Sequence, residues 1–237
     1  METEEETRED LAAESAPTGP EPLAELQHAV RHGNTEAVSR ILGGRPGLAN
    51  APSTRGGSLL LEAFEREADD IADLFVAARN DRGITELDIH EACAMGRAGI
   101  VQKRLTDDPL VFEEVGPTGF FPLHRAAYRG HVDAVSLLLQ MGADPNARSQ
   151  NGASLTPLHS AVAGAARFAV DETNGQSFRA VSERLIAAGA DAELEMEGAW
   201  SAITAAERDN LHALLPVLRP AVDPSAPSNE DAATPLG

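Results

Sequence analysis

Three histidines recur at nearly even spacing, and their ring nitrogens are the first candidates in this sequence for metal binding or catalysis. His90, His124 and His159 are 34 and 35 residues apart. Imidazole nitrogens serve as metal ligands and as general bases near neutral pH. A repeating fold that aligned the three rings would therefore present a row of ligands or bases. The pair His90-Glu91 also begins a His-Glu-x-x-His zinc motif, but the second histidine is missing at the required spacing.

No other pattern reaches the level of a catalytic or metal-binding motif. The chain has neither a Gly-rich phosphate loop nor a Cys-x-x-Cys pair. Asp69-Asp70 and Asp107-Asp108 are typical of helix starts and turns, since neither pair has a second ligand group nearby in sequence. We therefore predict no catalytic residue, no metal and no cofactor, and an enzyme is the most distant of the function classes considered.

The composition indicates which elements must position these residues. The chain has 237 residues, of which 42% are hydrophobic but only 4% aromatic. A core built mainly from Ala, Leu, Val and Ile packs through close helix–helix contacts. No run of about 18 to 20 apolar residues, the length of a membrane span, is present.

The charge restricts the partner. The net charge is −19, and an acidic surface is repelled by nucleic-acid backbones and by anionic membranes. We therefore expect neither nucleic acid nor membrane as a partner. A single cysteine and the absence of an N-terminal signal-peptide pattern favour the cytoplasm.

Two segments of the chain repeat one pattern. Residues 119–147 and 152–193 each contain Gly, then Pro-Leu-His-x-Ala, then an aliphatic helical stripe and finally Gly-Ala-Asp. This pattern resembles the ankyrin repeat. The residues that carry the resemblance are Pro122, Leu123, His124, Gly142 and Asp144 in the first segment and Thr156, Pro157, Leu158, His159, Gly189 and Asp191 in the second.

Four weaker copies appear when these two are aligned. The leading apolar residues of the six copies are Leu26, Leu60, Ile89, Leu123, Leu158 and Ile203. Their spacing is close to the ankyrin period of about 33 residues except for one interruption. We predict an all-α repeat solenoid over residues 23–222, with ankyrin helix–turn–helix repeats starting near 23, 56, 85, 118, 151 and 197 and short β-hairpin or loop fingers. The Pro-rich acidic segments 1–22 and 223–237 are predicted to be disordered.

Several positions depart from the pattern. Glu67 and Asn210 stand where other copies have a turn glycine such as Gly130. Pro216 falls inside the last helical pattern and is expected to kink or end that helix. Residues 165–177 interrupt the fifth copy and are expected to form an irregular excursion between its two helices. The first three copies lack Gly-Ala-Asp, so their hairpins are expected to be short or irregular.

The resemblance also implies a structural role for residues that first suggested chemistry. A histidine in the motif position hydrogen-bonds to backbone near the turns, which gives His90, His124 and His159 a structural function. Cys93 falls in a small-residue position of an inner helix, so we expect buried packing instead of a reactive thiol.

The resemblance to ankyrin repeats implies a protein-binding module or scaffold that has no cofactor. Such a module binds its partner through a concave groove and the tips of its fingers. We expect a monomer that binds another protein. The candidate partner-binding residues are Arg31, Arg66, Met95, Phe120, Tyr128, Arg129, Phe168 and Arg208.

Each candidate has a structural alternative. Cations near a helix C-terminus also interact favourably with the helix dipole. Phe120 could pack on an adjacent finger, and Phe168 could lie in an exposed loop. The alternative function is an acidic inhibitor or immunity-type regulator that blocks a basic site on another protein.

Overall fold

A computed structural model describes residues 21–80, 86–169 and 171–219. In these residues no strand forms, and β structure is limited to the isolated bridges Pro52–Ser58 and Glu195–Ser201. The predicted all-α repeat fold is confirmed. The predicted disordered tails lie almost wholly outside the described residues. The helices are α1 (Pro22–Arg31), α2 (Thr35–Gly44), α3 (Leu59–Glu65), α4 (Asp69–Asn80), α5 (Ile89–Ala94), α6 (Ala98–Asp107), α7 (Pro122–Tyr128), α8 (Val132–Gln140), α9 (Pro157–Phe168), α10 (Glu172–Ala187), α11 (Ala202–Arg208) and α12 (Leu215–Leu218).

The chain divides into two compact units. The first contains α1 to α4, in which α1 pairs with α2, α3 pairs with α4, and the two pairs pack on each other. Its core is aliphatic, with Leu26, Leu59 and Ile71 fully buried together with the ring of Phe75. The Thr35 hydroxyl at the start of α2 lies 2.6 Å from the Asp70 carboxylate at the start of α4.

The second unit contains α5 to α12 as a stack of helix pairs. The inner helices α5, α7, α9 and α11 contact one another in order, as do the outer helices α6, α8, α10 and α12. The inner helices are lined with alanine, and Ala92, Ala126, Ala127 and Ala161 are fully buried. Because an alanine methyl adds little bulk, neighbouring inner helices can approach closely.

The helix starts follow from the sequence. Thr156 caps α9 by accepting from the His159 amide, and the His159 ring returns a contact to the Thr156 amide. Pro122 and Pro157 occupy the first turns of α7 and α9, where a missing N–H costs nothing. Asp88 makes a full capping box with Glu91 at α5.

The turns after the inner helices require a left-handed residue. Gly130 has φ of 72°, and Glu67 and Asn210, which replace glycine in their copies, have φ of 59° and 56°. The substitutions therefore change the residue type without changing the turn. The predicted kink at Pro216 is wrong, because Pro216 is the second residue of the short helix α12, where proline is tolerated in the first turn.

Two turns without Gly-Ala-Asp use a short 3-10 helix in its place. One spans Pro46–Asn50 after α2, and the other spans Val111–Glu113 after α6. A proline two residues beyond the preceding helix, Pro46 or Pro109, is the signal shared by both segments. The expectation of short or irregular connections in these copies is consistent with these turns.

The expected irregular excursion at 165–177 is wrong. Residues 165–168 complete α9, and α10 begins at Glu172, so the extra residues lengthen both helices. Asp171 caps α10 by accepting from the Asn174 amide. The Phe178 ring is buried and lies against Gly130 and Gly164, which anchors the lengthened pair on the preceding repeat.

Candidate protein-interaction site

Three sequence candidates lie together at the C-terminal ends of α7 and α9. α7 ends at Tyr128, followed by Arg129, and the lengthened α9 extends to Phe168. The Tyr128 and Phe168 rings meet edge to face with centroids 5.5 Å apart. The helical form of residues 165–168 is what brings Phe168 to this edge.

Two guanidinium groups approach the same ring. The Cζ atoms of Arg129 and Arg167 lie 4.8 Å and 5.7 Å from the Phe168 centroid. Cations within about 6 Å of an aromatic centroid are attracted by the ring quadrupole. Arg167 is exposed, and the other three side chains are half-buried. We call Tyr128, Arg129, Arg167 and Phe168 the aromatic–arginine cluster.

The backbone under this cluster is closely packed. A Cβ atom at Gly164 would lie 2.0 Å from the Tyr128 carbonyl oxygen, so only glycine permits this approach of α9 to α7. The cluster therefore stands on two helices in direct backbone contact.

A second arginine–aromatic pair lies at the last described repeat. Arg208 binds the Asp209 carboxylate through Nε and Nη2, at 2.8 Å and 2.7 Å. Its Cζ atom is 5.1 Å from the Trp200 ring. The pairing with Asp209 leaves this position close to neutral.

The candidates in the first unit make hydrogen bonds within that unit. Arg66 Nε donates to Glu62 at 3.0 Å, and Arg66 Nη1 donates to the Arg31 carbonyl at 3.0 Å. Arg31 Nη2 donates to the Thr54 hydroxyl, also at 3.0 Å. These arginines join the two repeats of the unit, which is a structural use of the positions predicted for a partner.

The remaining candidates, Met95 and Phe120, are half-buried. Met95 follows α5 directly. The Phe120 and Phe121 rings lie 5.7 Å and 5.8 Å from the His124 ring, so the aromatic pair at this finger packs on the start of α7.

The repeat histidines bind backbone. His124 Nε2 lies 2.8 Å from the Leu155 carbonyl oxygen, and His159 Nε2 lies 3.0 Å from that of Trp200. Each carbonyl belongs to the residue before the next helix cap. Burial lowers the pKa of His124 to about 4, so its ring is neutral at physiological pH.

His90 departs from this arrangement. Its Nδ1 accepts from Arg125 Nε at 3.3 Å, whereas its Nε2 is buried without a hydrogen bond. The Glu114 carboxylate is 3.9 Å from that Nε2. Burial, with the nearby Arg125 charge, lowers the pKa of His90 to about 3. Sequence reasoning missed the buried Arg125; a charged residue directly after the motif histidine was the available signal.

Within the part of the chain that the structure describes, no group of three or more His, Cys, Asp or Glu side chains is arranged to hold a metal ion. Cys93 is buried, and burial raises the pKa of its thiol above the ordinary value, which suppresses thiolate formation.

Comparison with known proteins gives a family match for one part of the chain. Residues 123–170 match the family model for ankyrin repeats (many copies). The resemblance predicted from the sequence is confirmed for these residues, which are similar to ankyrin repeats.

Two relatives are channel proteins. The chain is 38% identical over 77 residues to transient receptor potential cation channel subfamily A member 1 of Homo sapiens, covering 32% of this chain and 7% of the channel. It is 38% identical over 71 residues to the homolog of that channel in Caenorhabditis elegans, covering 30% of this chain and 6% of the channel. The chain therefore spans only a small fraction of these relatives.

Two crystal structures are similar over most of the chain. The ankyrin repeat protein EF0377 has a TM-score of 0.48 and 23% identity, covering 85% of this chain and 99% of that one. An ankyrin repeat domain from Acinetobacter baumannii AYE also has a TM-score of 0.48, with 20% identity and coverages of 81% and 95%. Among the described residues, no helix combines the length and apolarity needed to cross a membrane.

Proposed function

We propose that this protein is a non-enzymatic protein-binding scaffold whose partner contacts the aromatic–arginine cluster. Ankyrin repeats are generally protein–protein interaction modules, and that coarser function applies to this chain. The observation that carries the finer proposal is the meeting of Tyr128, Arg129 and Phe168 on one edge of two adjacent inner helices.

The chemistry of the cluster defines what it can bind. Aromatic rings provide apolar area at low entropic cost, and arginine presents a planar fork that matches a carboxylate. Tyr, Trp and Arg dominate the binding energy of protein interfaces. The partner should therefore place an acidic or backbone carbonyl group against Arg129 and an apolar group against Phe168.

Rigidity supports the same function. The Gly164 contact fixes α9 against α7, so the cluster exists before the partner arrives. A preformed surface loses little ordering entropy on binding. The other candidates, Arg31, Arg66, Met95, Phe120 and Arg208, belong to the proposal as secondary contacts beyond this centre.

The test compares capture by surface variants. The wild-type protein, Phe168→Ala and Arg129→Glu are immobilised, and proteins retained from the native cytosol are compared. The control is Arg184→Glu, which alters an exposed arginine on α10 in the same repeat as Phe168. A partner retained by wild type and by the control, but not by the two cluster variants, supports the proposal. Equal retention by all four proteins would contradict it.

The proposed scaffold is a cytoplasmic monomer. The single cysteine supports a reducing compartment. The alternative function, an acidic inhibitor that blocks a basic site, would use carboxylates in place of arginines. It would show steep weakening with salt and would be insensitive to Phe168→Ala.

A further inference from the structure

The most exposed large hydrophobic side chain among the described residues is Leu110, at 64% exposure. It lies in the connection that follows α6, just before the 3-10 turn at Val111–Glu113. This position lies outside the aromatic–arginine cluster and has no part in the proposed function.

The same turn occurs in the first unit without a leucine. After α2, Arg45-Pro46-Gly47-Leu48 corresponds to Asp108-Pro109-Leu110-Val111 after α6. In the first turn the Leu48 amide donates to the Arg45 carbonyl at 3.0 Å. In the second the Val111 amide donates to the Asp108 carbonyl at 3.2 Å.

Glycine therefore satisfies this position in the equivalent turn. Gly47 and Leu110 are both exposed. Leu110 contributes little to the core, and the backbone does not require it. Its side chain is available for a contact outside the chain.

Carboxylates surround this leucine. We call residues 107–114 the acidic loop, and its four acids are Asp107, Asp108, Glu113 and Glu114. All four are exposed. Lys103 lies 3.6 Å from Asp107, and residues 107–121 contain no basic residue. Burial, together with repulsion from Asp88 and Asp108, raises the pKa of Glu114.

A buried donor is aimed at this loop. Arg125 can only donate, so His90 Nδ1 is the acceptor and the ring proton is on Nε2. That Nε2 is buried, has no hydrogen-bond partner, and lies 3.9 Å from Glu114 Oε1. A shift of about 1 Å by Glu114 would complete the bond. The equivalent atoms of His124 and His159 already bind a carbonyl.

We propose that the acidic loop is a second docking surface, for a partner protein with an apolar pocket rimmed by Lys and Arg. Leu110 enters the pocket, and the surrounding carboxylates pair with the basic rim. A cation on the partner holds one Glu114 oxygen while the other accepts from His90 Nε2. Charge complementarity favours this occupant, because the loop carries four exposed acids and residues 107–121 contain no basic residue.

The test is selection of a random-peptide display library on the immobilised full-length protein. We expect the enriched peptides to combine Lys or Arg with large apolar residues. A synthetic copy of an enriched peptide should bind Leu110→Gly at least about tenfold more weakly than wild type. Binding should also fall with added salt and with Asp108→Asn combined with Glu113→Gln.

Three control variants show whether binding depends on Leu110 within the acidic loop. Leu110→Gly should fold normally, because glycine occupies the equivalent turn, and an unchanged thermal transition checks this. Phe168→Ala should bind the peptide as wild type does, which distinguishes this proposal from the proposed function. Adding Gly47→Leu to Leu110→Gly moves the leucine to the matched turn without the acidic loop and should not restore binding.

Four results would overturn the proposal. The first is enrichment of peptides without basic residues, and the second is equal peptide binding by wild type and Leu110→Gly. The third is Leu110-dependent self-association in analytical ultracentrifugation, which would make a second copy of this chain the occupant. Restoration of binding by Gly47→Leu would likewise show that an exposed leucine alone suffices.

Discussion

The Phe178 ring of α10 rests on the backbone of Gly164 in α9, where an added Cβ atom would lie 2.8 Å from the ring. The same Cβ would lie 2.0 Å from the Tyr128 carbonyl oxygen. One glycine therefore accommodates both the backbone of the preceding repeat and the ring that anchors the lengthened helix pair. The position of Phe168 beside Tyr128 depends on this packing.

Gly164→Ala should destabilise the protein by about 1–3 kcal/mol, the usual cost of forcing a methyl group into a packed core. The clash is with backbone, so rotation of a side chain cannot relieve it. Urea unfolding measures the change. Gly175→Ala is the matched control in α10, because a Cβ there meets nothing within 4 Å. The control should be neutral or stabilising by up to about 1 kcal/mol; equal stability of the two variants would contradict the packing argument.

Thr156→Ala should cost about 1 kcal/mol, because it removes the cap of α9. The hydroxyl accepts from the His159 amide and lies 2.8 Å from His159 Nδ1. Chemical denaturation measures the loss. Thr106→Ala serves as a control, since the Thr106 side chain is exposed and its hydroxyl bonds only to the carbonyl of Gln102 in its own helix. An equal loss of stability in Thr106→Ala would mean that the Thr156 cap itself does not stabilise the protein.

Ala199→Gly should stabilise the protein. Ala199 has φ of 61°, a left-handed conformation that costs a residue with Cβ about 1 kcal/mol or more. Glycine removes that strain but adds entropy to the unfolded chain, so we expect a net gain of about 0.5 kcal/mol. Ala188→Gly, at φ of −85°, should be slightly destabilising in the same thermal or urea assay. A loss of stability in Ala199→Gly would refute the assignment of strain.

Stability should fall as the pH drops from about 6.5 toward 4. Burial holds the pKa of His124 near 4 and that of His90 near 3, whereas an unfolded histidine titrates near 6.5. Below pH 6.5 the unfolded chain therefore binds protons that the folded chain does not, and the folded state loses stability. Above pH 6.5 the contribution is fully present. Each such histidine lowers the free energy of unfolding by up to about 1.4 kcal/mol for every pH unit below 6.5.

Urea midpoints between pH 7.5 and 5 test this dependence. His124→Gln keeps a donor for the Leu155 carbonyl and removes the titration, so its midpoint should vary less with pH than that of wild type. His212→Gln alters an exposed ring and should leave the dependence as in wild type. A flat wild-type profile over this interval would contradict the buried neutral state of the ring.

Local features of the fold were predictable wherever one residue determines them. Thr156 and Pro157 identify the start of α9, and Asn210 identifies a left-handed turn in a copy that has lost its glycine. The histidine bonds at His124 and His159 followed from the family motif. Each of these depends on contacts with the backbone of one turn or of the next finger, which the repeat period places in register.

Features that depend on contacts between repeats were missed. The segment 165–177 has the composition of a loop, yet it is helical, and the Phe178 ring that follows it packs over Gly130 of the preceding repeat and Gly164 of its own repeat. Arg66 was predicted as a partner contact, and its bond to the Arg31 carbonyl of the neighbouring repeat was not foreseen. Arg125 was not singled out, because its burial depends on the contact with His90 of the neighbouring repeat; its place directly after the motif histidine was the only local signal.

Arg125 on α7 contacts His90 on α5, so the third repeat depends on having the fourth repeat as its neighbour. Ser160 takes the equivalent position in α9 and lacks the reach to donate to His90. If residues 118–150 were excised, α9 would pack on α5 in place of α7. The Nδ1 atom of His90 would then have no hydrogen-bond donor. We therefore expect excision of a repeat at this junction to cost stability, because the order of these two repeats satisfies a buried polar side chain as well as the periodic apolar ones.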